Sequence, residues 1–191
     1  QWVEQQTESR IKDLIPQGAI DSMTRLVLTN AVYFNAAWQS QFQKDATTQG
    51  EFHLVDGGTV MVPMMRQTES FGYGKSDGFQ VVELPYDGDE MSMVILLPDD
   101  GRLRELEDAL DADVLRGAVD SLHRTRLALT MPGFTMESSF SLKDALSALG
   151  MESAFAPGAA DFSGMDGTRD LYVGDVVHKA FVEVNEAGTE A

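Results

Sequence analysis

The sequence predicts an α+β fold, and three observations carry that expectation. Apolar runs of strand length come in neighbouring pairs, segments with helical spacing interrupt them in no regular strand-helix-strand rhythm, and 43% of the 191 residues are apolar. That supply of Val, Leu, Ile and Phe suits a folded chain with a sizeable core rather than a disordered one.

Residues 1 to 15 set Val3, Thr7, Ile11 and Leu14 at helical spacing until Pro16 and Gly18 stop the pattern, so an amphipathic helix is expected there. RLVLTNAVYFNAAW, residues 25 to 38, is apolar and aromatic on both strand faces, as in a long central strand covered above and below. One parity of that run carries Leu26, Leu28, Asn30, Val32, Phe34, Ala36 and Trp38, which sets the Asn30 amide in an apolar face where it needs hydrogen-bond partners. FQVVELPY (79 to 86) and EMSMVILLP (90 to 98) flank Asp87-Gly88 and read as an antiparallel hairpin. Helical spacing returns with Leu103, Leu106, Leu110, Val114, Leu115, Ala118 and Leu122, ahead of a second strand pair through LALTMPGFTM. Ser141 is placed to cap SLKDALSALG, and Gly150 to close it. The last strand, LYVGDVVHKAFVEV, gathers Val176, His178, Ala180, Val182 and Val184 on one face, so His178 is expected among apolar neighbours.

The charge balance narrows the partners. Thirty-one acids against fourteen bases leave a formal net charge of −17, which repels both nucleic acid and anionic lipid, so neither is expected to bind. With no cysteine, the chain has no disulfide, thiol nucleophile or thiolate ligand. No apolar run approaches the roughly 18 residues of a membrane span. His53, His123 and His178 form no i,i+4 pair, and Asp87, Asp89 and Glu90 lack calcium-loop spacing, so no metal and no cofactor is expected. Gly74-Lys75-Ser76 resembles the end of a phosphate loop, but Glu69 stands where that loop needs glycine. No Gly-x-Ser-x-Gly elbow supplies a serine nucleophile. On composition alone Trp38 reads as a core aromatic and His178 as a satisfied core histidine.

Read together, TNAVYFNAAWQSQF, VELPYDGDEMSMVILLP, LTMPGFTMESSFSLKDALSALGMESAF, DFSGM and VVHKAFVEVNEAGTEA resemble successive landmarks of the serpin family over essentially the whole chain. The resemblance implies a partial single serpin domain across 1 to 191. It would run from the helix over a large mixed sheet A to the reactive-loop hinge, with sheet B and C strands between; the N-terminal helices, the bait loop and the closing sheet B strands would lie outside it. The long strand 25 to 38 and the strand ending near Val184 would belong to sheet A, and the hairpin to sheet B. Glu186, Ala187, Gly188, Thr189, Glu190 and Ala191 resemble the hinge, Asn30 and His178 the shutter pair, and Trp38 the breach tryptophan.

The implied activity is not enzymatic. It is suicide-substrate inhibition of a serine or cysteine protease, which is held as a covalent acyl-enzyme while the reactive loop inserts into sheet A. A protease and the remaining segments of the same serpin are then the partners, and an extracellular or secreted location is implied, with any export signal outside this chain. The alternative is a non-inhibitory carrier or chaperone. Insertion needs small residues on the buried face: Thr189 and Ala191 share a parity, Glu190 takes the opposite one, and Gly188 is expected to supply backbone freedom at the pivot. Gly133 departs from the family, which commonly has a lysine there.

Overall fold

The computed structural model describes residues 2–15, 17–20, 24, 27 and 32–191. Its elements run α1 (Trp2–Gln6), β1 (Asn35–Ala37), β2 (Thr48–His53), β3 (Thr59–Ser76), β4 (Phe79–Pro85), β5 (Ser92–Pro98), α2 (Leu103–Ala109), α3 (Ala112–Asp120), β6 (His123–Pro132), β7 (Phe134–Ser141), α4 (Lys143–Leu146), α5 (Glu152–Phe155), α6 (Ser163–Asp166), β8 (Val177–Val184) and β9 (Gly188–Glu190). The mixture is α+β. Two compact units form, one from Asn35–Thr135 with Glu183–Glu190, the other from Gln1–Phe34, Met136–Val182 and Ala191.

In the unit containing residues 35–135, β3 is long enough to serve three partners, all antiparallel. Residues 59–64 pair with β2, 64–73 with β6 and 72–76 with β4. Strand alternation buries Met65 and Phe71 while Arg66, Thr68 and Ser70 stay exposed. The expected hairpin forms between β4 and β5 in register from Phe79↔Pro98 to Pro85↔Ser92. Its turn places Gly88 at φ 94, a backbone region that favours glycine. The helical run from 103 to 122 divides in two, because the Asp111 side chain accepts from the Asp113 and Val114 N–H groups and so starts α3 afresh. Phe79, Val81 and Ala118 form a buried cluster, against which Val94, Leu96, Leu106, Val114 and Leu122 pack.

Several expected boundaries change. β6 and β7 do not form a hairpin: β6 pairs with β3 and β7 with β8. Gly133 alone separates the two strands, and its N–H is taken by Pro63 O at 2.9 Å. A Cβ on Gly133 would stand 3.4 Å from Val184 O, so a methyl group there makes ordinary contact. Of the strand expected over 25 to 38, only Asn35–Ala37 is regular strand among the described residues, with Trp38 continuing as a single bridge to Tyr86.

In the other unit, the helix expected over 1 to 15 stops at Gln6. Thr7 turns its hydroxyl back onto Val3 O at 2.9 Å, and Glu8 and Ser9 take positive φ values of 47 and 66, which no helix continues through. Arg10 stacks over the Phe181 ring at 5.0 Å, and Lys179 Nζ donates to Lys12 O at 2.7 Å. Ser141 Oγ accepts from the Lys143 N–H at 3.2 Å, the N-cap of α4 itself is Leu142, with no side-chain cap, and Gly150 breaks the helix at φ 102. The last strand starts at Val177 rather than Leu171, and its buried residues are Phe181 and Val184.

Candidate functional site

The site is the return of the chain after β8. Asn185 organises the turn: its Oδ1 accepts from the Ala187 N–H at 2.9 Å and the Gly188 N–H at 3.3 Å, while its own N–H donates to Gly188 O at 3.0 Å. This is the local side-chain mimicry of backbone that makes asparagine a turn residue. The chain then re-enters the sheet as β9. On one side β9 pairs antiparallel with the end of β8, as Glu183↔Glu190 and Val184↔Thr189. On the other it pairs antiparallel with β1, as Asn35↔Glu190, Ala36↔Thr189 and Ala37↔Gly188. β1 and β8 are therefore parallel to each other with β9 between them. One residue further on, Phe34 and Ala191 exchange both backbone hydrogen bonds, at 2.7 and 2.8 Å.

Gly188 is buried, and its backbone is not in the left-handed region, so in this conformation a positive φ is not what the position demands. Close approach is: a Cβ there would meet Ala36 O at 2.1 Å and the Ala37 Cα at 2.8 Å. Thr189 is 6% exposed, and its Oγ1 accepts from the Tyr86 hydroxyl at 2.9 Å. Burial is the main cause that raises the Tyr86 pKa, against a smaller lowering by this hydrogen bond, so the phenol stays protonated and donating at neutral pH.

Trp38, 2% exposed, closes the site from the side. Its indole N–H donates to Asn185 O at 2.9 Å, its backbone N–H donates to Ala187 O at 2.9 Å, and its ring stacks on Tyr86 at 4.7 Å and 10°. Glu186 is tied to the segment after β1. Its carboxylate accepts from the Thr47 hydroxyl at 2.8 Å, and its backbone O accepts from the Phe42 N–H at 3.0 Å. The Thr47 hydroxyl first, then the Glu186 backbone N–H and the charge of Lys44, hold this carboxyl below the usual glutamate range.

Trp38 and residues 186–190 thus meet in one unit. Thr189 is buried, whereas Ala191 and Glu190 are both half-buried, so the expected division into one buried and one solvated parity is only partial. Asn30 lies outside the described residues. His178 is exposed, not set in an apolar face; its ring packs on Phe140 with centroids 5.2 Å apart. The residues β8 buries are three apart, Phe181 and Val184, so a strict period of two does not hold along it. Tyr86, Thr47 and Asn185 escaped the sequence reading. Asn185 had a signal, an asparagine three residues before a glycine at a strand end. Tyr86 had none, being 103 positions from its partner. Among the described residues no three His, Asp or Glu side chains gather as metal ligands.

Comparison with known proteins adds the family. The family profile described as Serpin (serine protease inhibitor) matches residues 1–191. Antithrombin-III of Mus musculus is 44% identical over 194 residues, covering 100% of this chain and 42% of that protein. The leukocyte elastase inhibitor of Homo sapiens is 42% identical over 200 residues, covering 100% and 53%. Among solved structures, ovalbumin from emu (Dromaius novaehollandiae) matches with a TM-score of 0.94 at 32% identity, over 99% of this chain and 50% of that one. Cleaved Serpin 42Da matches with a TM-score of 0.89 at 39% identity, over 99% and 52%. The chain spans about half the length of the curated relatives it matches.

Proposed function

The chain belongs to the serpin family, and from that membership we propose that the intact protein is a suicide-substrate inhibitor of a serine or cysteine protease. The observation that carries the reading is β9, a segment that leaves the last strand, turns on Asn185 and takes the place between β1 and β8. In the proposed mechanism, the protease nucleophile attacks a peptide carbonyl in the loop that follows Ala191. The C–N bond breaks, the amine side departs, and the carbonyl carbon stays esterified to the enzyme. Residues 186–191 are the hinge about which the freed strand then folds into the sheet.

The drive for insertion is structural. Without β9, β1 and β8 would be parallel neighbours; with it, both face an antiparallel partner, which pairs somewhat more stably per residue. An inserted strand of about fifteen residues at roughly 3.3 Å each would carry the attached protease on the order of 50 Å. Trp38 marks the end of the sheet where entry begins. An extracellular location is part of the same proposal.

The test is to incubate the intact protein with a panel of serine and cysteine proteases and look for a complex that survives SDS. A covalent complex at the combined mass, less the departed peptide, is expected with at least one of them. Cleavage of the loop by several proteases with no complex from any would overturn the inhibitory reading in favour of the carrier or chaperone.

A further inference from the structure

We propose that the outward face of β3 and β6 is a second contact surface for the target protease, one that takes an acidic patch on the protease beside its active-site cleft. The proposal rests on the inhibitory reading above and names the chemistry of that partner. β3 pairs with β6 in the register Arg66↔Thr130, Thr68↔Ala128, Ser70↔Arg126 and Gly72↔Arg124. Directly opposed residues point to the same side of a sheet, so Arg66, Thr68 and Ser70 share one face with Arg124, Arg126, Ala128 and Thr130, and all seven are exposed. The other face turns Met65, Phe71 and Met131 inward, where they are buried.

The charge of this face is the reverse of the chain's. Thirty-one acids outnumber fourteen bases overall, yet these seven positions hold three arginines, three hydroxyls and no carboxylate. Arg102, Arg116 and Arg169 each hold a nearby Asp or Glu at 2.7 to 2.9 Å. The side chains of Arg66, Arg124 and Arg126 make no ion pair or hydrogen bond among the described residues. Strand pairing brings Glu83 beside the face, across Gly72 from Arg124, and its Oε1 accepts from Ser92 Oγ at 2.8 Å. Free guanidiniums present planar forks that match carboxylates. A body of net charge −17 attracts a cationic protein at long range, and an arginine island within it selects the orientation that sets an acidic patch of that protein upon it. A uniformly anionic chain, such as a sulfated polysaccharide, meets the repulsion of the whole body instead.

Position ties the face to the loop. Arg66 and Thr130 lie at the end where β6 runs into Pro132, which pairs with Met64. Beside it, a Cβ on Gly133 would stand 3.4 Å from the carbonyl oxygen of Val184, the residue on which β8 ends and after which the chain turns into the hinge. Gln67 Nε2 also donates to Ser40 O at 3.1 Å, which holds β3 to the segment just after Trp38. Arg124 lies six positions from Thr130 along β6, at roughly 3.4 Å each, so the arginines line about 20 Å of sheet starting at the hinge end. A protease engaged on the loop meets both.

The test uses the intact protein and the protease of the panel that it inhibits fastest. It reads the second-order rate constant of complex formation at low and high salt, and the moles of inhibitor consumed per mole of protease. Wild type is compared with Arg66→Ser/Arg124→Ser/Arg126→Ser and with Arg104→Ser/Arg116→Ser/Arg169→Ser, which removes the same charge from exposed positions elsewhere. At low salt the face variant is expected to react about tenfold more slowly, three exposed ion pairs at about twofold each. Its consumption should be unchanged, because insertion does not use the face, and high salt should bring its rate together with that of wild type. The control should react no more slowly than wild type. Equal slowing of both variants would assign the effect to net charge and overturn the proposal, as would a face variant that reacts like wild type. A face variant that loses retention on a sulfated-dextran matrix while keeping its reaction rate gives the face to a polysaccharide and overturns it too. These outcomes leave the inhibitory reading standing, whereas a wild type that forms no complex with any protease removes both.

Discussion

Replacing Gly188 by alanine sets a methyl carbon 2.1 Å from Ala36 O, 2.8 Å from the Ala37 Cα and 2.9 Å from the Ala36 carbonyl carbon. All three are backbone atoms of β1, so no side-chain rotation relieves the overlap, and β1 and β9 must part by about 1 Å or more to regain ordinary contact. Hydrogen bonds now at 2.7 to 2.9 Å, from Phe34 N–H to Ala191 O, from Ala191 N–H to Phe34 O and from Trp38 N–H to Ala187 O, then fall outside bonding range. At about 1 kcal/mol net for each, the loss is roughly 3 kcal/mol, or about two orders of magnitude in the equilibrium for strand entry. Gly188→Ala in the intact protein should therefore be cleaved as a substrate with little complex formed, and its cleaved form should unfold at a lower temperature than the cleaved wild type. Two controls bound the effect. Ala187→Val adds bulk at an exposed position one residue earlier, and Gly133→Ala adds a methyl whose nearest neighbour is 3.4 Å away. Both should inhibit nearly as wild type. A Gly188→Ala protein with unchanged stoichiometry and unchanged cleaved-form midpoint would refute the close-approach argument.

Thr189→Arg should likewise convert inhibitor into substrate, because a guanidinium at a site 6% exposed is desolvated without a partner at a cost of several kcal/mol; Glu190→Arg, at a half-buried position, should raise inhibitor consumption far less. Glu186 titrates lower in the folded protein than in the unfolded chain, so its contribution is fully present above about pH 4.3 and is lost as the pH falls through the lower folded value. Glu186→Gln should remove that part of the acid-limb slope when thermal midpoints are followed from neutral to acid pH. Asp111→Ala removes the acceptor for the Asp113 and Val114 N–H groups at the start of α3 and should cost about 1 kcal/mol, read as a lower urea midpoint with an unchanged slope.

What the sequence determined by itself was local. Asp87-Gly88 between two β-rich runs could only be a tight turn, and the hairpin β4–β5 followed, since glycine there takes a backbone geometry that other residues resist. The landmarks of the family were also legible, because they are runs of residues consecutive along the chain. Tertiary structure decided the rest. Strand parity could not tell which faces of β8 are covered, so His178 came out exposed while Phe181 and Val184 are buried. The need for glycine at 188 arises from β1, and the partner of Thr189 is Tyr86, just after β4, both more than 100 positions away in the sequence. Period and propensity describe what a residue does to its own few neighbours. The fit of a Cβ against a remote carbonyl, or of a phenol against a hydroxyl, exists only once the strands that carry them are side by side.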